Sequence, residues 1–214
     1  MVEIPLILKL KKQVHKDIAR GQDIIVKELY SFFDKAILHG GTSIWRCYKG
    51  NRFSEDIDVY IPRDEMKINS FFDILKKNGF EIIKKKIGEN SLFSNLRLNR
   101  TIIRFEALFK KPLPQSIIKE YIASDGNLIT VYTLSPEQLI KEKVNAYLKR
   151  LKIRDLYDVF FLLRHIKDKL EIQSDLRRLI KKFEKPVDEK DLNILIIEGL
   201  VPNTEKMLDY INMV

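Results

Sequence analysis

The chain has 214 residues, 45% of them hydrophobic, with one cysteine and a formal net charge of +9. A chain of this length and hydrophobic content can form one large domain or two small ones without a disulfide or a structural metal. A single cysteine fits a reducing compartment, no apolar run approaches the ~18 residues of a membrane span, and the N-terminal sequence lacks a secretory signal. We therefore expect a cytoplasmic protein with no membrane partner, whose positive surplus favours a polyanionic partner, above all nucleic acid.

The chain begins with alternating helix and strand patterns. Apolar spacing predicts an amphipathic helix over residues 22–36, and AILHGG (residues 36–41) reads as a short strand that ends in a glycine turn. Thr42 or Ser43 is then predicted to cap a helical turn. Apolar and polar residues alternate strictly in the strand DIDVYIP (residues 56–62), which places its two aspartates on one face.

Further strands and helices are predicted downstream. A helix over 66–78 ends at Gly79, and strands follow at 80–87, 92–99, 101–109 and 127–134. After Ser135-Pro136, a typical helix start, the pattern changes to a helical period that continues to the C-terminus. The sequence thus predicts an α+β fold, in which a mixed sheet flanked by helices (residues 1–133) precedes a C-terminal helical bundle (residues 134–214).

Asp56 and Asp58 form the first candidate site. Two carboxylates on one face of a strand repel each other unless a cation lies between them. A hard divalent ion such as Mg²⁺, with Mn²⁺ as an alternative, prefers oxygen ligands and completes its shell with water and phosphate. Two such ions activate an attacking hydroxyl and neutralise a leaving pyrophosphate. A calcium loop of the EF-hand type fits poorly, because Tyr60 and Ile61 stand where that loop needs an oxygen ligand and a glycine.

The glycines upstream fit the same chemistry. Gly40 and Gly41 allow a sharp turn and a close approach of the backbone to a phosphate, and the helix start after them offers free N–H groups. A P-loop is excluded, because no Gly-Lys-Ser/Thr follows.

Three segments together resemble a known family: LHGGTSIW, NRFSEDIDVYI and EQLIKEKVNAYLKRLKIRDLYDVFFLL. They are similar to the AbiEii/AbiGii and MenT-like nucleotidyltransferases, toxins of toxin–antitoxin systems within the DNA polymerase β-like superfamily. The resemblance spans residues 36–163. It implies a Mg²⁺-dependent enzyme with a polymerase β-like fold and an NTP substrate.

The resemblance also implies roles for individual residues. Gly41, Thr42 and Ser43 would hold the nucleotide phosphates, and Arg52 and Ser54 would steady the loop or the triphosphate.

The metals would be held by Asp56 and Asp58. A third carboxylate on a neighbouring strand is usual, and Glu106 is our candidate, since strand alternation directs it to the polar face.

The helical segment supplies the remaining candidates. Lys143 and Arg150 are two turns apart on one helical face, so both could point at a triphosphate, and Asp155 and Asp158 are neighbours on the next helix. The resemblance makes Lys143 and Asp155 essential for catalysis. The alternative is an exposed ion-pair cluster at a helix–helix joint.

The leading hypothesis is therefore transfer of a nucleoside monophosphate from an NTP to a hydroxyl of RNA, with the 3′ end of tRNA as the acceptor that the resemblance implies. An antitoxin encoded alongside would be expected, with or without a direct complex. The alternatives are a protein hydroxyl as the acceptor, or a non-catalytic module that binds RNA or a partner on the same scaffold. His39 and the single Cys47 are interpreted as structural residues.

Overall fold

The structure is a computed structural model that describes residues 5–214. The chain forms two compact units. The first comprises the described residues up to Lys49 together with Phe53–Thr133, and the second comprises Gly50–Arg52 together with Leu134–Val214. The second unit thus includes three residues from far upstream, which no pattern in the sequence indicated.

A seven-stranded mixed sheet forms the centre of the first unit. The strands are β1 (Ile37–His39), β2 (Ile57–Ile61), β3 (Glu81–Ile87), β4 (Ser91–Leu98), β5 (Thr101–Phe109), β6 (Ile117–Ile122) and β7 (Leu128–Thr133). Their order is β3-β4-β5-β2-β1-β7-β6. The pairs β1–β7 and β2–β5 are parallel and the other pairs are antiparallel. β2 therefore lies inside the sheet, between β1 and β5.

The alternation predicted for β2 is confirmed, because Ile57, Val59 and Ile61 are buried and the residues between them are half-buried. Strand β6 was missed. It is an edge strand in which only Tyr121 is fully buried, so it carries almost none of the alternation that marks a strand in sequence.

In the part of the first unit that the structure describes, there are four helices: α1 (Leu6–Lys9), α2 (Gln13–Phe32), α3 (Gly40–Cys47) and α4 (Glu65–Lys77). The predicted start of α2 at residue 22 is wrong, since the helix begins at Gln13. The predicted cap at Thr42 or Ser43 is also wrong. α3 begins directly after β1 with His39 at the cap position, so the glycine pair forms its first turn and not a separate loop.

The second unit is helical: α5 (Pro136–Arg150), α6 (Ile153–Leu162), α7 (Gln173–Lys181), α8 (Leu192–Leu195) and α9 (Thr204–Asn212), with short 3₁₀ turns at Leu163–His165 and Glu189–Asp191. The predicted start of α5 is confirmed by a capping box in which Ser135 and Gln138 bond to each other's backbone N–H groups. Leu151, in the left-handed region at φ 52°, ends α5 and allows α6 to follow at once.

Together the sheet and helices confirm the predicted α+β class. No helix within the described range has the length and apolar character of a membrane span.

Candidate active site

Three carboxylates lie close together at β2 and β5, two of them on the strands and one just before β2. The strand register pairs Asp58 with Glu106, and neighbouring strands lie about 4.8 Å apart. Asp56 directly precedes β2, one residue before the Ile57–Phe105 pair, on the same face as Asp58. The structure therefore brings together the three residues proposed from the sequence as metal ligands. We call Asp56, Asp58 and Glu106 the carboxylate row.

The carboxylates of the row repel one another, and this repulsion affects the pKa of Glu106. Burial raises the pKa of Glu106, and the negative charges of Asp58 and Asp56 raise it further, against the opposing effects of Arg104 and His39. Three adjacent carboxylates of this kind favour a cation near them.

The donor set fits a hard divalent ion, since it consists of carboxylate oxygens alone. Within residues 5–214 no group of three His, Cys, Asp or Glu side chains is already in metal-binding geometry. Instead, Asp56 and Glu106 share the guanidinium of Arg104. This arginine was not predicted as a site residue, although its position two residues before Glu106 places both on one face of the strand.

The N-terminus of α3 lies against the carboxylate row. Gly40 has φ +70°, and a Cβ atom at this position would meet the Asp58 carboxylate at less than 3.0 Å. The first turn of a helix presents N–H groups without helical partners, which bind phosphate readily. A phosphate site and a cation site would therefore adjoin at Gly40 and Asp58.

Two buried polar side chains fix the loop that carries Asp56. The Thr42 hydroxyl donates to the backbone carbonyl of Asp56 at 2.5 Å, and the Gln22 amide donates to the carbonyl of Ser54 at 3.0 Å. Gln22 was not predicted as a site residue. The only indication in the sequence is that this amide residue falls among the buried positions of an amphipathic helix.

The Ser43 hydroxyl is also buried and pairs with the hydroxyl of Thr133 at 2.5 Å. Phosphate contacts by Thr42, Ser43 and Ser54 stay predictions. In this structure the hydroxyls of Thr42 and Ser43 bond within the protein, so the backbone of Gly40 and Gly41 is the part of this turn better suited to a phosphate.

Replacement of Gly40 by alanine is expected to reduce the free energy of unfolding by about 2–3 kcal/mol, because a left-handed backbone and a clash with Asp58 add together. Gly79→Ala is the matched control. Its φ is +88°, but its Cβ would have a nearest neighbour at 3.8 Å, so only about 1 kcal/mol should be lost. Urea unfolding of both variants measures the difference, and equal losses would contradict the close approach at Asp58.

A buried charge cluster forms in the second unit. The Nε and Nη2 atoms of Arg52 each lie 2.6 Å from an oxygen of Asp158, and the Lys143 ammonium lies 2.8 Å from Asp158. All three residues are buried, and Asp158 has no exposed surface. Asp158 had no predicted role, and the segment that carries Arg52 was not expected to join the helices.

The cluster extends to Asp155 and Arg150. The Arg150 guanidinium forms two bonds with Asp155, at 2.6 and 2.8 Å, and Lys143 lies 3.5 Å from the same carboxylate. The cluster does lie at the joint of α5 and α6, but both of its carboxylates are buried, unlike the exposed ion-pair cluster considered as the alternative. Triphosphate contacts by Arg52, Lys143 and Arg150 stay predictions.

The pKa of Asp158 gives a testable pH dependence. Burial alone would raise this pKa, but the charges of Arg52 and Lys143 outweigh burial and hold it below its usual value of 3.8. A depressed pKa contributes stability that is present above the unfolded-state pKa and lost as the pH falls through the folded-state pKa. We therefore expect the difference in unfolding free energy between the wild type and Asp158→Asn to shrink as the pH falls below 3.8.

Urea unfolding from pH 7 to pH 3 measures this difference. A difference that stays constant to pH 3 would contradict the assigned ion pairs.

Two further residues fit their structural interpretation. Burial raises the pKa of the Cys47 thiol to about 12, so the nucleophilic thiolate is scarce at neutral pH. His39 stacks on Tyr60 with ring centroids 4.0 Å apart, next to Asp58 on the neighbouring strand.

The site thus consists of acidic residues at an inner strand of a mixed sheet, next to a helix that begins with two glycines. The family model described as nucleotidyl transferase AbiEii toxin, type IV toxin–antitoxin system, matches residues 25–209. Since the match covers most of the chain, the protein belongs to this family of nucleotidyltransferase toxins, and the resemblance seen in the motifs is confirmed. No curated protein matches the chain.

Solved structures share the fold at low sequence identity. JHP933 from Helicobacter pylori has a TM-score of 0.69 at 19% identity, over 94% of this chain and 90% of its own. The nucleotidyltransferase toxin MenT4 from Mycobacterium tuberculosis has a TM-score of 0.65 at 17% identity, over 98% and 88%. The antibiotic-resistance factor ANT(2'')-Ia has a TM-score of 0.50 at 11% identity, over 76% and 92%.

Proposed function

We propose that this nucleotidyltransferase uses Mg²⁺ to transfer a nucleoside monophosphate from an NTP to a hydroxyl of RNA, with the 3′ end of tRNA as the acceptor. The observation that carries the proposal is the carboxylate row beside the first turn of α3. It provides oxygen ligands for a divalent ion next to N–H groups for a phosphate.

The carboxylate row would hold the metal, which when bound supplies charge neutralisation on the triphosphate and polarises the attacking hydroxyl. The N–H groups at Gly40 and Gly41 bind a phosphate of the NTP. The acceptor oxygen forms a bond to the α-phosphorus, and the bond from that phosphorus to the bridging oxygen breaks to release pyrophosphate. One carboxylate of the row accepts the proton of the acceptor hydroxyl.

Lys143, in the second unit, is the proposed cation for the triphosphate. Its ammonium lies 2.8 Å from Asp158 and 3.5 Å from Asp155, which hold it in place. A cation fixed in this way can neutralise a phosphate oxygen without reorganising. Arg150, whose side chain is 43% exposed, is the second candidate for such a contact.

The RNA acceptor is supported by charge and by the motif resemblance described above. A net charge of +9 favours a polyanionic partner. The family also implies an antitoxin, for which no direct complex is required. With an NTP and tRNA as substrates, the reaction would take place in the cytoplasm. A protein hydroxyl is the competing acceptor.

The proposal is tested by incubating the protein with each labelled NTP, Mg²⁺ and total tRNA. We expect label at RNA 3′ ends, no label with Asp56→Ala, and full activity with Asp73→Ala. The control residue Asp73 lies on α4 in an exposed ion pair with Lys76. Absence of transfer with every NTP, or unchanged transfer by Asp56→Ala, would overturn the proposal, and label on protein instead of RNA would overturn the acceptor.

A further inference from the structure

Arg104 lies among the carboxylates of the row. It stands two residues before Glu106 on β5, so both side chains project from the same face of the sheet. Its Nη2 atom is paired with the carboxylate of Asp56, and its Nε atom lies 3.0 Å from Oε1 of Glu106. The side chain is 40% exposed. The proposed reaction gives this arginine no role.

The oxygens that pair with Arg104 belong to carboxylates that a metal ion would need. A divalent ion bound here would lie close to the guanidinium, and two charges of the same sign at about 5 Å weaken binding roughly tenfold even in water. Arg104 and a metal ion therefore compete for Asp56 and Glu106.

We propose that Arg104 is a positioning residue that acts as the internal counter-ion of the carboxylate row and is displaced from Asp56 and Glu106 when a metal ion and NTP bind. The inference rests on the proposed function, since it takes the row to be the cation site. Before binding, the guanidinium offsets the repulsion among the carboxylates and keeps their oxygens in place. After displacement its N–H donors lie beside the site, where they can bond to a phosphate oxygen.

This arrangement has a consequence for binding order. A bare metal ion must displace Arg104 without compensation, whereas a metal ion that arrives with an NTP brings phosphate oxygens for the released guanidinium. The two ligands should therefore bind more tightly together than separately. The metal and NTP sites are then thermodynamically coupled, so each ligand raises the affinity of the protein for the other.

A purely structural ion pair would behave differently, and the same sheet provides one for comparison. Arg97 on β4 pairs with Glu81 on β3, with side chains 45% and 60% exposed. This pair involves no member of the carboxylate row, so Arg97→Gln is the matched control for Arg104→Gln. Exposed pairs of this kind contribute little to stability, and both variants should fold.

The experiment measures Mn²⁺ binding to the full chain without nucleotide, from the electron paramagnetic resonance signal of the free ion. We expect Arg104→Gln and Arg104→Ala to bind Mn²⁺ about tenfold more tightly than the wild type, and Arg97→Gln to match the wild type. With a non-hydrolysable NTP analogue present, Mn²⁺ affinity should rise more for the wild type than for Arg104→Gln. Unchanged or weaker Mn²⁺ binding by both neutral variants would overturn the inference.

Asp58→Asn in the same titration separates the two proposals. If Asp58→Asn abolishes Mn²⁺ binding while the neutral Arg104 variants equal the wild type, the inference fails and the metal site stands. If Asp58→Asn binds Mn²⁺ as the wild type does, the row is not the metal site, and the proposed function fails together with the inference. Urea unfolding of each variant confirms that the compared proteins are folded.

Discussion

Replacement of Asp58 by asparagine is expected to reduce nucleotidyl transfer about a thousandfold, the scale seen when one key electrostatic group is removed from an active site. Asp58 lies between His39 on β1 and Glu106 on β5, at the centre of the carboxylate row. Asparagine keeps the shape of the side chain but removes a negative charge that the cation would need. The change also relieves repulsion within the row, and urea unfolding of the variant checks that it is folded.

Single-turnover transfer with labelled NTP measures the loss, and Asp73→Asn, which changes an exposed carboxylate on α4, is the control. The same pair of variants extends the test to the cell. Growth arrest on expression should disappear with Asp58→Asn and persist with Asp73→Asn. Arrest that persists in Asp58→Asn would show that toxicity does not come from the transferase reaction.

Replacement of Asp158 by asparagine is expected to reduce the free energy of unfolding by about 3–5 kcal/mol at neutral pH. The variant leaves Arg52 and Lys143 buried with their shared anion gone, and both are less than 9% exposed. Removing one partner of a buried ion pair costs more than the pair contributed, because the remaining charge stays out of water.

Asp175→Asn on α7 is the matched control. This carboxylate pairs with Arg178, whose side chain is 40% exposed, and its loss should cost less than about 1 kcal/mol. Urea unfolding at pH 7 compares the two variants. Similar losses would show that the cluster around Asp158 does not stabilise the second unit.

The parts of the site that the sequence could predict are those encoded by short-range pattern. Alternation in β2 placed Asp56 and Asp58 on one face, and alternation in β5 placed Glu106 on the polar side of its strand. The start of α5 followed from Ser135-Pro136. Each of these signals lies within a few residues of the feature it predicts.

The missed parts depend on partners far away in the chain. Arg52 and Asp158 are 106 positions apart, so no local pattern could pair them. Thr42 was predicted to cap a helix, but its hydroxyl bonds to the carbonyl of Asp56, 14 positions later, and α3 starts two residues earlier. Alternation in β5 places Arg104 on the same face as Glu106, but its contact with Asp56, 48 positions earlier, depends on the pairing of β5 with β2.

The three residues Gly50–Arg52 have a consequence for how the chain can be divided. Within the second unit Asn51 accepts a backbone bond from Ile197, and Arg52 supplies the bidentate partner of Asp158. A fragment cut at the end of β7 would lack this insert and would leave Asp158 without its arginine. The helical unit is therefore not encoded by one continuous stretch of sequence. A fusion or truncation designed to preserve it must also include Gly50–Arg52.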